Sequence, residues 1–304
     1  MTATNRKIIG IGETVLDIIF GHDNQPCSAN PGGSVYNALI SLGRSGIPCT
    51  FVSEIGNDRV GGIIRQFLLD NGVSDEGLYE HKGMRSPLSL AFLDKNNDAQ
   101  YTFYKDYQNQ QLELKMPHIE QGDIVMFGSY FALNPVIRKE VNTFLHKAKD
   151  AGAILYYDVN FRKPHQHELQ QLWPTIVENF QLADIVKGSD EDFAIMFNTT
   201  DWRTAYHKHI EPYCTTFICT QAAQGATAIC GENEISVEGK PITPISTIGA
   251  GDNFNAGFVC GLFKNNLQKN NLTDLKLLSK AMSIGIDYAT EVCLSIENYI
   301  AIKK

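Results

Sequence analysis

The run Thr247-Ile248-Gly249-Ala250-Gly251-Asp252-Asn253-Phe254 gathers the residue types needed to handle an anion and a proton at one place. Gly249 and Gly251 lead into Phe254, Phe258 and Leu262, whose spacing predicts a helix from about Ala250 with those three side chains on its buried face. A helix start carries unpaired backbone N–H groups and a positive dipole end, and glycines let an anion approach them closely. Asp252 falls in the first turn, where the dipole favours its ionised form, so it can accept a proton from a hydroxyl. An anion hole beside a base is the pairing that phosphoryl transfer to an alcohol requires. The same four residues are also what a tight turn with a capping aspartate looks like, so the rest of the chain has to decide.

Two further places hold polar groups where a ligand could gather. Lys7-Ile8-Ile9-Gly10-Ile11-Gly12 reads as a buried strand with Glu13 and Asp17 just beyond it, and ligands of open α/β sheets collect past the carboxyl ends of strands. A solvated loop aspartate is the competing reading of Asp17. Pro31-Gly32-Gly33-Ser34 then opens a helix over Val35–Ser45, with Ser34 as its expected cap and Asn37 on its first turn. The paired glycines, Gly33 included, permit unusual backbone angles and could act as a hinge. Other anion and metal signatures are missing: no G-x-x-x-x-G-K-[ST], no G-x-G-x-x-G after a strand, no H-E-x-x-H. That leaves the helix start at Ala250 as the anion site.

These groups need a scaffold, and the chain supplies a regular rhythm. Strands are expected at Phe51–Glu54, Ile124–Phe127, Ile154–Val159, Ile185–Lys187 and Phe217–Thr220. Helices are expected from about Asn57 to Asn71 and over Pro135–Ala151, Leu169–Phe180 and Glu191–Phe197. Such alternation implies a doubly wound, mostly parallel α/β sheet with helices on both faces. From Pro87 to Tyr107 the period changes to two, around a turn at Lys95-Asn96-Asn97-Asp98; this hairpin reads as a lid, a dimer contact or an extra edge. With 304 residues, 43% of them hydrophobic, one large domain can fill its core. A net charge of −8 without a basic cluster argues against nucleic acid or an anionic membrane as partner. No apolar run approaches a membrane span or a signal peptide, so a cytoplasmic protein is expected. The seven cysteines are scattered without a C-x-x-C pair, suggesting neither a disulfide framework nor a zinc site.

Taken together, Gly32-Gly33-Ser34-Val35-Tyr36-Asn37-Ala38 and Gly249-Ala250-Gly251-Asp252-Asn253-Phe254-Asn255-Ala256-Gly257-Phe258 resemble the two signatures of the ribokinase/PfkB family of carbohydrate kinases, in the right order and at the right separation. Gly12-Glu13 with Asp17, Ile55-Gly56-Asn57-Asp58, Tyr157-Asp158-Val159-Asn160-Phe161-Arg162, Ala183-Asp184-Ile185-Val186-Lys187 and Ser189-Asp190 extend the likeness over nearly the whole chain. Thr102-Phe103-Tyr104-Lys105 points to the fructokinase-like branch.

The resemblance implies a single ribokinase-like domain over residues 1–304, with a small β-sheet lid built from segments of about 13–31 and 86–108. It implies ATP with Mg²⁺, and phosphorylation of a sugar hydroxyl. Asp252 would be the general base, and the amides of Gly249, Ala250 and Gly251 the anion hole. Asp17, Gly33 and Asn37 would bind sugar hydroxyls, with Asn160 and Arg162 near the substrate or the transferred phosphate. Lys187 and Ser189 would face the ATP phosphates, and Thr220 and Gly225 would line the nucleotide. Asp192 would hold the magnesium–water shell, with Glu191 as its alternative, because Ser189-Asp190-Glu191-Asp192 stands where the family usually has Asn-x-x-Glu. Thr220-Gln221-Ala222 departs from the usual Thr-x-Gly, and Ser246 replaces an Asp that helps hold a monovalent cation, which argues against potassium activation. The expectation is thus a fructokinase-type enzyme, with a homodimer through the lid as an option. The alternatives are the same chemistry on ribose, 2-keto-3-deoxygluconate or a nucleoside, or a non-catalytic sugar- or nucleotide-responsive homologue.

Overall fold

The computed structural model describes residues 6–93, 99–104 and 115–302. Its first strand is β1 (Ile8–Ile11), a short β-branched strand buried on both faces. Ile8 joins one hydrophobic cluster, while Ile9 and Ile11 join another on the opposite face. Gly10 lies between them because a Cβ there would stand 2.6 Å from the Leu39 side chain; its absence lets α1 (Ser34–Arg44) settle onto the sheet.

Around β1 a nine-stranded sheet forms in the order β13-β12-β11-β10-β9-β8-β1-β4-β5. Its members are β4 (Cys49–Gly56), β5 (Val73–His81), β8 (Ile124–Gly128), β9 (Ile154–Asp158), β10 (Ile185–Ser189), β11 (Thr216–Thr220), β12 (Ala226–Cys230) and β13 (Asn233–Val237). All pairings from β5 to β11 are parallel; β12 and β13 add antiparallel strands at one edge. Helices cover both faces. α1, α2 (Arg59–Asp70), α7 (Ala250–Lys264) and α8 (Leu275–Cys293) bury one cluster; α3 (Arg138–Asp150), α4 (Leu169–Leu182), α5 (Asp190–Phe197) and α6 (Trp202–His209) bury the other. The expected doubly wound arrangement is therefore present.

A second, four-stranded sheet has the order β3-β2-β6-β7, from β2 (Val15–Phe20), β3 (Pro26–Gly32), β6 (Leu88–Leu93) and β7 (Ala99–Tyr104). β6 and β7 form the expected antiparallel hairpin; its turn at 95–98, and Lys105 to Tyr107, lie outside the described residues. Two expectations need correction. The helix anticipated from Pro135 begins at Arg138, because the Asn134 side chain accepts the Val136 N–H at 3.0 Å and holds a turn there. Asp17 follows β1 as expected, but the loop reading of it fails, because it lies inside β2, paired with Asn30 on one side and Ser89 on the other. All seven cysteines are free, and among the described residues no helix is long and apolar enough to cross a membrane.

Candidate active site

The N-termini of α1 and α7 meet at Asp252. Gly249 caps α7 in the left-handed region, φ 79°, and Ala250 is the first helical residue. The turn is held from below by Asn253, whose Nδ2 donates to the carbonyls of Gly249 and Asn298, both at 2.8 Å. Phe258 and Leu262 are fully buried and Phe254 nearly so, which is the apolar face that fixes the helix direction. Asp252 is half-buried, and both of its oxygens are engaged: Ser34 Oγ donates to Oδ1 at 2.7 Å and Asn37 Nδ2 to Oδ2 at 2.8 Å. Burial raises the carboxyl above the usual aspartate range, against the Asn37 and Ser34 donors and the positive charge of Arg162, with Asp158 adding to the rise.

Ser34 was expected as the cap of α1, and the structure corrects this. Gly33 is the cap, at φ 132°, and a Cβ on it would meet the Glu13 carbonyl oxygen at 2.3 Å, so the chain passes too closely for any side chain. Ser34 is thereby moved into the helix with its hydroxyl on Asp252. Asn37 turns its other polar atom, Oδ1, into a buried position without a hydrogen-bond partner among the described residues. A Cβ built on Gly32 would lie 4.0 Å from that atom and 2.2 Å from Asp17 Oδ2, so the two acceptors converge on the Gly32 backbone. Burial pushes Asp17 up to about 6, opposed by the Ser89 hydroxyl and assisted by Glu13.

On the other side of α7 stands Lys187. Its Nζ is 3.0 Å from Asp158 Oδ1, both side chains being buried, and a Cβ on Gly251 would sit 3.9 Å from it. Burial disfavours the ammonium, but Asp158, Asp192 and Asp252 outweigh it and hold the pKa above the ordinary lysine value. Asp158 is a residue that sequence reasoning left without a role; Asn255 Nδ2 donates to its Oδ2 at 2.6 Å, and Tyr156 donates to Asn255 Oδ1 at 2.8 Å. Ser189 and Asp192 form a capping box on α5: Ser189 Oγ accepts the Asp192 N–H at 3.0 Å, and Asp192 Oδ2 accepts the Ser189 N–H at 2.7 Å. Burial raises the Asp192 carboxyl, while Lys187 draws it down. Glu191 is exposed on the same turn.

The remaining expected residues are spread along the carboxyl edge of the sheet. Asn160 (φ 37°) donates from Nδ2 to Ser129 Oγ at 2.6 Å. Arg162 is exposed, with its charge felt at Asp252. Thr220 is in register with Ser189. Gly225 has a structural reason of its own, because at φ 100° a Cβ would lie 2.1 Å from the Val237 carbonyl oxygen. An apolar rim also went unread: Ile242, Ile245, Ile248, Leu294 and Ile296 are exposed beside the α7 entrance, and Ile245 N donates to Cys293 O at 2.8 Å to join the two segments. The three-residue spacing of Ile242, Ile245 and Ile248 was the available signal, but a Pro-containing loop gives it no period to be recognised by.

Among the described residues no three His, Cys, Asp or Glu side chains come together as a ligand set for a metal. Magnesium commonly uses one or two carboxylates plus substrate phosphates. Asp192, with one oxygen committed to the capping box, suits an ion that arrives with a nucleotide.

Comparison with known proteins gives a consistent picture. A family model described as pfkB family carbohydrate kinase matches residues 5–278. A probable fructokinase-3 of Arabidopsis thaliana is 27% identical over 265 residues, covering 83% of this chain and 76% of its own. Among solved structures, a fructokinase double mutant from Vibrio cholerae, crystallised with fructose, ADP and a potassium ion, superposes with a TM-score of 0.84 at 22% identity, covering 97% of this chain and 95% of its own. The aminoimidazole riboside kinase of Salmonella enterica, in complex with aminoimidazole riboside and an ATP analog, gives 0.81 at 23% identity, covering 96% and 94%. At these identities the structural likeness speaks for the fold.

Proposed function

The chain belongs to the pfkB family of carbohydrate kinases and is an ATP-dependent sugar-phosphorylating enzyme; from that premise we propose that it is a fructokinase-type enzyme with Asp252 as its general base. The observation that carries this is the position of Asp252. Its two oxygens are held by Ser34 and Asn37, it stands one residue past the Gly249–Gly251 backbone, and the Lys187 ammonium stands 3.9 Å from where a Cβ on Gly251 would lie.

A sugar hydroxyl reaching Asp252 gives up its proton to the carboxylate, whose raised pKa makes it the better acceptor. The hydroxyl oxygen then forms a bond to the γ-phosphorus of ATP as the bond to the β–γ bridging oxygen breaks, leaving ADP. The amides of Gly249, Ala250 and Gly251 stabilise the charge that develops on the phosphate oxygens, and Lys187 adds a buried positive charge beside them. Asp192 would hold magnesium through water, and the ion would supply further charge neutralisation. The rim of Ile242, Ile245, Ile248 and Ile296 offers a purine an apolar seat next to that entrance. The unpaired Asn37 Oδ1 and the Asp17 carboxylate offer acceptors to sugar hydroxyls. Glu13 and Asp17 together disfavour a carboxylate-bearing sugar such as 2-keto-3-deoxygluconate, which favours a neutral one. Ser246 Oγ accepts the Ile248 N–H at 3.2 Å and brings no charge, which weighs against a monovalent cation there.

The deciding experiment is coupled-assay ADP release with Mg-ATP over fructose, tagatose, ribose, 2-keto-3-deoxygluconate and adenosine, alongside Asp252→Asn. Turnover should be best on fructose and fall by roughly 10²–10⁴ in the variant, the range general-base catalysis supplies. Silence on every sugar, or an Asp252→Asn enzyme as fast as the parent, would remove this reading.

A further inference from the structure

The loops that leave β8 and β9 are fastened to each other by more than the sheet. Ser129 and Asn160 both adopt left-handed backbone conformations, φ 54° and 37°, and are joined by the Asn160 to Ser129 hydrogen bond. Non-glycine residues stay in such conformations only where their surroundings over-determine them. A second fastening follows at once. The Tyr130 ring lies stacked on His165, centroids 3.9 Å apart and planes 15° apart. Glu168 completes it, accepting from Tyr130 Oη at 3.2 Å and hydrogen-bonded to His165 Nδ1 at 2.9 Å. Arg162 sits between these two ties, and its carbonyl accepts the His165 N–H at 2.9 Å. Its side chain is nevertheless exposed, so the backbone is held where the guanidinium is not.

We propose that Tyr130, His165 and Glu168 are positioning residues that hold the Arg162 loop against the loop after β8, so that the guanidinium is presented to the Asp252 site. The proposal rests on the reading of Arg162 as a group that faces the sugar or the transferred phosphate. An arginine side chain loses much rotamer freedom on binding, and fixing its base limits what has to be ordered in the transition state. The effect should fall on turnover, not on nucleotide affinity, since the triad lies on the β8–β9 side of the sheet while the apolar rim lies beside α7.

The test uses the full chain with His165→Ala, Tyr130→Ala, Tyr130→Phe and Glu168→Gln, each alone and combined with Arg162→Ala. His165→Ala and Tyr130→Ala should lower kcat about 10-fold, with KM for ATP unchanged, because small misplacements of a charged group are costly in rate. Tyr130→Phe keeps the stack and should recover most of the loss. In the Arg162→Ala background none of them should cost anything more; losses that multiply there would overturn the proposal. A second readout needs no turnover. Trypsin cuts after Arg162, whereas Lys163 is followed by Pro164 and resists, so the new N-terminus at Lys163 reports how firmly the loop is held. Cleavage there should be about 10-fold faster in His165→Ala at unchanged Tm, since cleavage follows local opening. Equal cleavage in parent and variant would refute the fastening whatever the activity. A parent that turns over no sugar would instead defeat the functional reading, and the cleavage rates would still decide this one.

Discussion

Asp17 and Asp252 are both carboxyls lifted by burial, yet the proposed function asks different things of them. As the proposed base, Asp252 takes a proton once, in the transition state, and its Ser34 and Asn37 donors favour the ionised form against the effect of burial. Asp17 must be ionised before the sugar arrives, because a carboxylate accepts from hydroxyls at both oxygens. With its pKa at about 6, raised from 3.8, Asp17 is half protonated in the free enzyme at about pH 6 and largely protonated about one pH unit lower. Sugar affinity should therefore weaken as pH falls through 6, with KM for the sugar approaching a tenfold rise per pH unit, while KM for ATP stays level. Asp17→Asn should bind weakly at every pH and lose this slope; a slope that survives the substitution would mean that another group titrates. The linkage to folding has the opposite sign. A raised carboxyl pKa means that the native state binds more protons than the unfolded chain, so Asp17's contribution to stability is greatest below 3.8 and is lost as pH rises through about 6. Asp252 could be read in the sequence because the helix start that positions it is local. Asp158 could not be assigned a role, because it depends on Lys187 from the neighbouring strand β10, and no spacing reports a cross-strand pair.

Helix α7 carries glycines of two kinds, and they separate function from packing. Gly257 and Gly261 face α8: a Cβ on Gly257 would lie 2.4 Å from the Ile284 carbonyl oxygen, and one on Gly261 would lie 2.5 Å from the Ala281 Cα. Backbone cannot yield as a side chain can, so Gly257→Ala should cost about 1–3 kcal/mol of stability, seen as a lowered Tm. Gly251 meets only the Lys187 ammonium, at an ordinary 3.9 Å, and sits at helical angles that alanine prefers. Gly251→Ala should keep or raise Tm while kcat falls at least about 10-fold, because the methyl would stand beside Lys187 at the proposed anion hole. Equal loss of Tm in both variants would argue that Gly251 is a packing residue. The sequence announced α7 and the β6–β7 hairpin because their periodicities are uninterrupted. Periodicity did not report β2 and β3, which only the resemblance indicated through its lid segment at about 13–31, since Val15-Leu16-Asp17-Ile18-Ile19-Phe20 does not alternate and Pro26–Gly32 is polar. What makes them strands is pairing with each other and with β6, a partner remote in the chain.

At the scale of the molecule, the proposed site is divided between two sheets. Asp17 belongs to the four-stranded sheet, while Asp252, Lys187 and Asp192 belong to the nine-stranded sheet and its helices. The two sheets meet near the Gly32–Gly33 turn, where Tyr299 near the chain's end donates to the Pro31 carbonyl and a Gly33 side chain would strike Glu13. A sugar that touches Asp17 and Asp252 at once joins the two sheets, whereas a nucleotide along α7 and β10 touches only the larger one. Amide exchange should report that difference. Saturating fructose alone should slow exchange in Val15–Phe20 and Leu88–Leu93, and ADP alone should act on residues 249–253 and 187–192 without reaching the smaller sheet. At a ligand concentration 100 times Kd the gain for openings that release it is about 2.7 kcal/mol, or roughly a hundredfold slower exchange. Fructose protection confined to the larger sheet would take Asp17 out of the site. Protection of both sheets by ADP alone would mean that they close as one body before the sugar binds, and the division of labour between Asp17 and Asp252 would then have to be drawn inside a preformed pocket.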